Sequence, residues 1–145
     1  MDNQIRKNDR KRIGSINELL VMAELMKYGS VSKPIGDNDR YDCIFDYKGH
    51  MYRIQIKTAC QTKKGCFYVP FCNRRQTRKG NIRKPYTSEQ VDFIATYYKK
   101  QVIFIRVDDS VVENMSFREE YPMNGLRKRI HLVKDYILET VLQRL

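Results

Sequence analysis

The chain has 145 residues, room for one compact domain and not for two. Apolar residues make up 41% of it, enough to build a core, while 28 Lys and Arg against 17 Asp and Glu leave a formal net charge of +11. That balance excludes wholesale disorder and points to a polyanionic partner, for which phosphate backbones are the usual source. No run approaches the roughly 18 apolar residues of a membrane span. Residues 1–12 hold no apolar segment that could act as a secretory signal, so the expectation is an intracellular, cytoplasmic protein with no membrane partner. Cys43, Cys60, Cys66 and Cys72 form no C-x-x-C pair and have only His50 and His131 to join them. Reduced thiols are therefore expected, not a zinc site.

Residues 1–12 carry five basic side chains without a core-forming pattern and read as a mobile basic arm, leaving 13–145 as a single domain. A helix is predicted from about Ser15 to Tyr28, with Ile16, Leu19, Leu20, Ala23 and Met26 as its apolar face and Gly29 as its stop. Ser15 and Glu18 have the spacing of a capping box at its start. A turn-rich segment follows over 32–39. Strands are predicted over 41–46 and 51–58, joined by a tight turn at Lys48-Gly49. In the second, Tyr52, Ile54 and Ile56 alternate with Arg53, Gln55 and Lys57.

A third strand covers Cys66 to Val69. Residues 73–85 read as a long loop with six basic residues, Arg74, Arg75, Arg78, Lys79, Arg83 and Lys84, and no acid. Two more strands are expected over Val91–Tyr98 and Gln101–Val107, although the poor alternation of the former also fits a helix. A final helix starts near Arg129, with Ile130, Val133, Ile137 and Val141 on one face. Helix, strands and helix in this order predict an α/β sandwich around one mixed sheet.

A turn at Lys48-Gly49 pairs Tyr47 with His50, and counting back along both strands sets Asp42 opposite Gln55. Such partners have Cβ atoms about 4.5–5.5 Å apart on one face, and Lys57 follows two residues on. A carboxylate, an amide oxygen and an ammonium thus converge. The carboxylate can hold a hard cation such as Mg²⁺, with the Gln55 oxygen and the Ile56 backbone carbonyl completing part of its shell. Lys57 can orient the attacking water or stabilise charge on a phosphoryl group. The same residues also suit the solvated face of an amphipathic hairpin, and spacing alone does not choose between the two.

Gly36-Asp-Asn-Asp-Arg-Tyr-Asp42 followed by Arg53-Ile-Gln-Ile-Lys-Thr58 resembles the PD-(D/E)XK nuclease superfamily, in particular the branch containing a group I intron-encoded homing endonuclease of cyanobacteria. Tyr86-Thr-Ser-Glu-Gln-Val-Asp-Phe93 is similar to the same branch, so the resemblance runs from about Gly14 to Arg118. It implies a restriction-endonuclease-like core, a mixed β-sheet flanked by helices. It also implies Asp42 as a metal ligand, Gln55 in the usually acidic third position, Lys57 as the catalytic lysine and Glu18 as the acid of the first helix. Glutamine at position 55 removes one negative charge and weakens a second metal site.

Asp37 and Asp39 lie near the motif, yet turn aspartates usually bond their own backbone. Asp46 shares the face of Asp42 but sits near the turn, Asp92 reads as a strand-end structural residue, and Thr58 suits either a phosphate contact or a strand. The expected function is hydrolysis of DNA phosphodiester bonds by an Mg²⁺-dependent endonuclease, with Mn²⁺ as an alternative metal, site-specific and of the homing type. Its partner is double-stranded DNA, held by the basic residues of 73–85. One site per chain implies a homodimer or higher homo-oligomer, although the sequence displays no evident coiled-coil heptad or interface patch. A Holliday-junction resolvase-like, structure-specific nuclease and a non-catalytic nucleic-acid-binding protein are the alternatives.

Overall fold

The computed structural model describes residues 2–36, 39–111 and 113–145, with side chains from residue 8 onward. In chain order the elements are α1 (Asp2–Leu25), β1 (Ser30–Ser32), β2 (Cys43–Tyr47), β3 (His50–Ile56), β4 (Cys60–Lys63), β5 (Cys66–Pro70) and β6 (Cys72–Thr77). They continue with β7 (Gly80–Pro85), β8 (Phe93–Tyr98), β9 (Gln101–Arg106), β10 (Asn114–Arg118), a 3₁₀ turn (Val133–Asp135) and α2 (Leu138–Leu142).

Two hairpins organise the main sheet. Lys48 and Gly49 both take positive φ, +50° and +81°, the geometry that matches strand twist in a two-residue turn. The β2–β3 register is the expected one, Tyr47 opposite His50 and Cys43 opposite Ile54. Lys99 and Lys100, at +47° and +63°, make the second such turn between β8 and β9. β3 and β8 pair in parallel, which joins the hairpins into a mixed five-stranded sheet of order β1-β2-β3-β8-β9. The segment expected over Val91–Tyr98 is thus a strand from Phe93 to Tyr98, not a helix.

Alternation along the central strands divides the core. Cys43, Phe45, Ile54, Ile56, Phe93, Ala95, Val102 and Phe104 face one way and pack under Val21, Met22 and Leu25 of α1 and Leu138 and Leu142 of α2. Ile94, Ile103 and Ile105 face the other way, against Phe67, Val69 and Phe117 of a second, three-stranded sheet β10-β5-β4. Both helices therefore lie on one face of the mixed sheet, and a sheet covers the other. The 36-residue-scale excursion from β3 to β8 carries β4 to β7, which is why a parallel pair can form between strands so far apart in sequence.

The structure departs from expectation in four places. The segment 2–12, read as a mobile arm, is the first part of α1, and Met1 lies outside the described residues. Ser15 is therefore mid-helix, its hydroxyl donating to the Lys11 carbonyl (3.1 Å), and no capping box forms with Glu18. The loop 73–85 is the antiparallel ribbon β6–β7, with Arg74 opposite Arg83. The last helix shrinks to Leu138–Leu142, because bridges of Arg118 to Leu132 and of Ile103 to Ile137 draw the preceding chain onto the sheets.

One corner tolerates no side chain. At Gly29, between α1 and β1, an added Cβ would lie 2.1 Å from the Asp46 carbonyl oxygen and 3.1 Å from Phe45 Cε1. A backbone oxygen in a paired strand cannot yield, so Gly29→Ala is expected to destabilise by roughly 1–3 kcal/mol. Calorimetry should find its melting point several degrees below that of the parent.

Candidate active site

The end of β3 gathers the predicted residues. Asp42, just before β2, donates its N–H to the Ile54 carbonyl (2.8 Å), while its Oδ2 accepts from the Ile56 N–H (2.8 Å). The carboxylate is thereby fixed across the two strands, as the hairpin register requires. Gln55 Nε2 donates to the Ile56 carbonyl (3.3 Å), setting its amide beside that oxygen. The Lys57 N–H donates to the Ala95 carbonyl (2.9 Å), pinning the residue to the central strand β8. Glu18 enters from the site-facing side of α1, with Lys33 Nζ 3.8 Å from its carboxylate. Glu18, Asp42, Gln55, Ile56, Lys57 and Thr58 line one open groove of about 380 Å³, together with Lys11, Gly14 and Ser15 of α1.

Burial pushes the Asp42 carboxyl above its ordinary pKa; the Ile56 N–H pulls it back, Glu18 raises it further, and Lys57 and Lys33 oppose the rise. The neighbouring Cys43 thiol is pushed up to about 12, by burial first and then by Asp42 and Glu18. Negative charge is therefore crowded here in a partly desolvated place. Among the described residues no three His, Cys, Asp or Glu side chains cluster as a metal site. Two carboxylates, an amide and a backbone carbonyl nevertheless form a hard oxygen donor set suited to one magnesium-like cation, and a cation would relieve the repulsion that raises Asp42.

Lys57 is held by a residue the sequence did not single out. Its Nζ lies 4.9 Å from the centre of the buried Tyr86 ring, and the Arg40 guanidinium lies 4.4 Å from the same ring. Arg40 also donates to the carbonyls of Lys84 (3.1 Å) and Pro85 (3.2 Å) at the root of the β6–β7 ribbon. Tyr86 follows Pro85 directly, so the ribbon begins where the lysine rests. No local pattern announces such a tyrosine, because its partners come from distant parts of the chain.

The remaining candidates sort clearly. Asp37 lies outside the described residues, and Asp39 is exposed and does not line the groove. Asp46 sits opposite Met51 near the hairpin turn, away from the site. Asp92 is structural: its Oδ2 accepts from the Arg53 N–H (2.8 Å) and Nε (3.1 Å), and its Oδ1 from Nη2 (3.2 Å). Burial raises the Asp92 carboxyl, but these Arg53 contacts outweigh it and hold the group below the usual range. Thr58 stands at the groove rim and accepts from Asn17 Nδ2 (3.2 Å).

The six basic residues of 73–85 all stand on the ribbon, in three groups. Arg74 and Arg83 share one face and meet Glu113 from outside the segment, at 3.7 and 2.6 Å. Arg75 and Lys84 belong to the opposite face, and Arg78 and Lys79 form the tip. Glu113 is an acid that the local sequence could not show.

A helix, a mixed sheet and a D…Q-x-K hairpin mouth are the arrangement that the resemblance led us to expect. The profile of the family described as PD-(D/E)XK endonuclease matches residues 8–139, and the chain belongs to that family. Among solved structures, a bacterial homing endonuclease, I-Ssp6803I, superimposes with a TM-score of 0.75 over 92% of this chain and 93% of that one, at 24% identity. That likeness is one of fold. No curated protein matches the chain significantly.

Proposed function

We propose that the chain is a divalent-metal-dependent endodeoxyribonuclease that hydrolyses phosphodiester bonds of double-stranded DNA at defined sites, in the manner of a homing enzyme. The observation that carries this reading is the convergence of Glu18, Asp42, Gln55 and Lys57 on one groove whose catalytic lysine abuts the root of a basic β-ribbon. Glu18, Asp42, Gln55 and the Ile56 carbonyl are the groups that would hold Mg²⁺ or Mn²⁺. When bound, such a cation polarises a phosphoryl oxygen and acidifies water. Lys57 sets a cation beside the same groove, where it offsets charge building on the phosphoryl group. Tyr86 beneath it restricts the swing of the side chain.

A two-stranded ribbon is of the size that the DNA major groove admits. Its charges supply phosphate contacts, and its arginines can reach guanine edges. Among the described residues each chain offers one groove of this kind, so cutting both strands takes two chains, a homodimer or higher homo-oligomer.

Nicking of a randomised supercoiled plasmid library tests the reading, with Mg²⁺, with Mn²⁺ and with chelator, beside a four-way junction. Discrete cuts that need the cation support it. Cleavage of the junction alone would move the function to structure-specific resolution, and binding without any cleavage would sink it.

The ribbon makes a separate prediction. Glu113 offsets one of the two charges on the Arg74–Arg83 face, whereas Arg75 and Lys84 on the opposite face have no ion-pair partner among the described residues. Replacing both Arg75 and Lys84 by Ala is expected to flatten the logarithmic salt dependence of DNA binding by about 2. Titration at several salt concentrations measures this.

A further inference from the structure

α1 has two apolar sides and uses only one of them. Val21, Met22 and Leu25 are buried against the mixed sheet. Ile13, Ile16, Leu19, Leu20 and Met26 are 50%, 49%, 64%, 37% and 66% exposed, and Ala23 is exposed with them. This is the stripe that periodicity assigned to the core, and the structure turns it to solvent. Turned to solvent, its spacing reads as two heptads, a run too short to stand out as a coiled coil in the sequence. Ile13 and Leu20 fall at a positions, Ile16 and Ala23 at d, and Leu19 and Met26 at g.

The inference deepens the two-chain reading above and rests on it. We propose that α1 packs antiparallel against α1 of a second copy of this chain, about a dyad at the level of Glu18. With that register each a or d residue faces the one equally far beyond Glu18 in the other copy, and e positions flank the seam two residues out of that count. Ile16 then meets Leu20 and Ile13 meets Ala23, the alternation of a and d layers that an antiparallel seam requires.

The charges at the two ends complete the match. The next layer outward sets Asp9 against Lys27 of the other copy, opposite in sign. Reversing one helix sets e positions opposite e positions, so Arg10 meets Glu24, again opposite in sign. Asp9, Arg10 and Glu24 stand on the helix and Lys27 two residues past its end, and none is buried; Glu24 and Lys27 already pair within the chain at 2.9 Å, so the contact sets Asp9 and Arg10 of one copy beside that ion pair of the other. An isologous contact must be self-complementary in this way. A polyanion does not fit the stripe, because from Ile13 to Met26 the seam positions carry no cation. The paired faces are also on the far side of α1 from the Glu18 carboxylate, so the contact leaves the groove open.

Sedimentation velocity on the full chain at about 50 μM, without DNA, tests the contact. The parent is expected to sediment as a dimer or larger. Ile16→Glu with Leu20→Glu is expected to raise the dissociation constant at least about 100-fold and, at dilutions where the parent is itself monomeric, to melt where the parent does, since neither side chain belongs to the buried core. Arg10→Glu weakens association, and adding Glu24→Arg restores it. A monomeric parent, a double-glutamate variant that stays associated, or a charge swap that does not restore would each overturn the proposal. Cleavage is scored separately: a monomer that cuts DNA overturns only this contact, whereas a dimer that never cuts counts only against the nuclease reading.

Discussion

Asp42→Asn is expected to lose cleavage by about 1000-fold or more and, at the same time, to melt at a higher temperature than the parent in the absence of metal. The loss follows from removing a cation ligand at the mouth of the hairpin. The gain follows from the same carboxylate's surroundings. Burial and Glu18 raise the Asp42 pKa in the fold, so its ionised form is disfavoured there. A raised carboxyl contributes stability that is complete below its unfolded value of about 4 and is lost as pH rises through the folded value. At neutral pH the parent therefore bears a cost that asparagine does not, and asparagine can still accept the Ile56 N–H.

Metal should reverse the order. A cation at 100 times its dissociation constant stabilises by about 2.7 kcal/mol, which is roughly 5–10 °C for a chain of this size. Added Mg²⁺ should raise the melting point of the parent and leave that of Asp42→Asn where it was. Scanning calorimetry at pH 4 and pH 7, with chelator and with Mg²⁺, measures all of this. An Asp42→Asn protein less stable than the metal-free parent at pH 7 would remove the electrostatic account of the site.

Lys57→Ala gives the second large effect. Cleavage should fall by about 10²–10³-fold, the scale on which removal of one charge-stabilising donor is felt, while DNA binding and melting temperature change little. The backbone of residue 57 stays tied to Ala95 and only the side chain over Tyr86 is lost. Single-turnover cleavage with saturating protein, beside an equilibrium binding titration, separates the two. Equal losses in binding and cleavage would make Lys57 a phosphate contact and not a catalytic group.

How much of this was legible in the sequence varies by element. The β2–β3 hairpin was readable because its turn and its period-two pattern agree, and from them the pairing of Asp42 with the end of β3 followed by counting. α1 was found as a helix but turned the wrong way. Val21, Met22 and Leu25 form a second apolar stripe beside the first, and periodicity cannot say which of two stripes meets the protein's own core. The ribbon was missed because most of both its faces meets water, so between Cys72 and Pro85 only Ile82 is apolar and the alternation that betrays a strand is absent. The last helix was overextended: its 3–4 spacing also suits a chain laid along sheet edges, and only the tertiary bridges decide. Tyr86, Arg40, Lys33 and Glu113 act through contacts across long stretches of chain. Of these Arg40 and Tyr86 stood within quoted motifs, and neither carried an assigned role.

The tyrosine ring that Lys57 and Arg40 both lie against has a further consequence. It is the first residue beyond the ribbon, its ring is buried, and the guanidinium on one side of it grips the last two carbonyls of the ribbon. On the nuclease reading proposed above, recognition and reaction would share that fulcrum: a duplex held by the ribbon would bear on the ring against which the Lys57 ammonium rests, so the fit of a target would act on the aim of a lysine as well as on time spent bound.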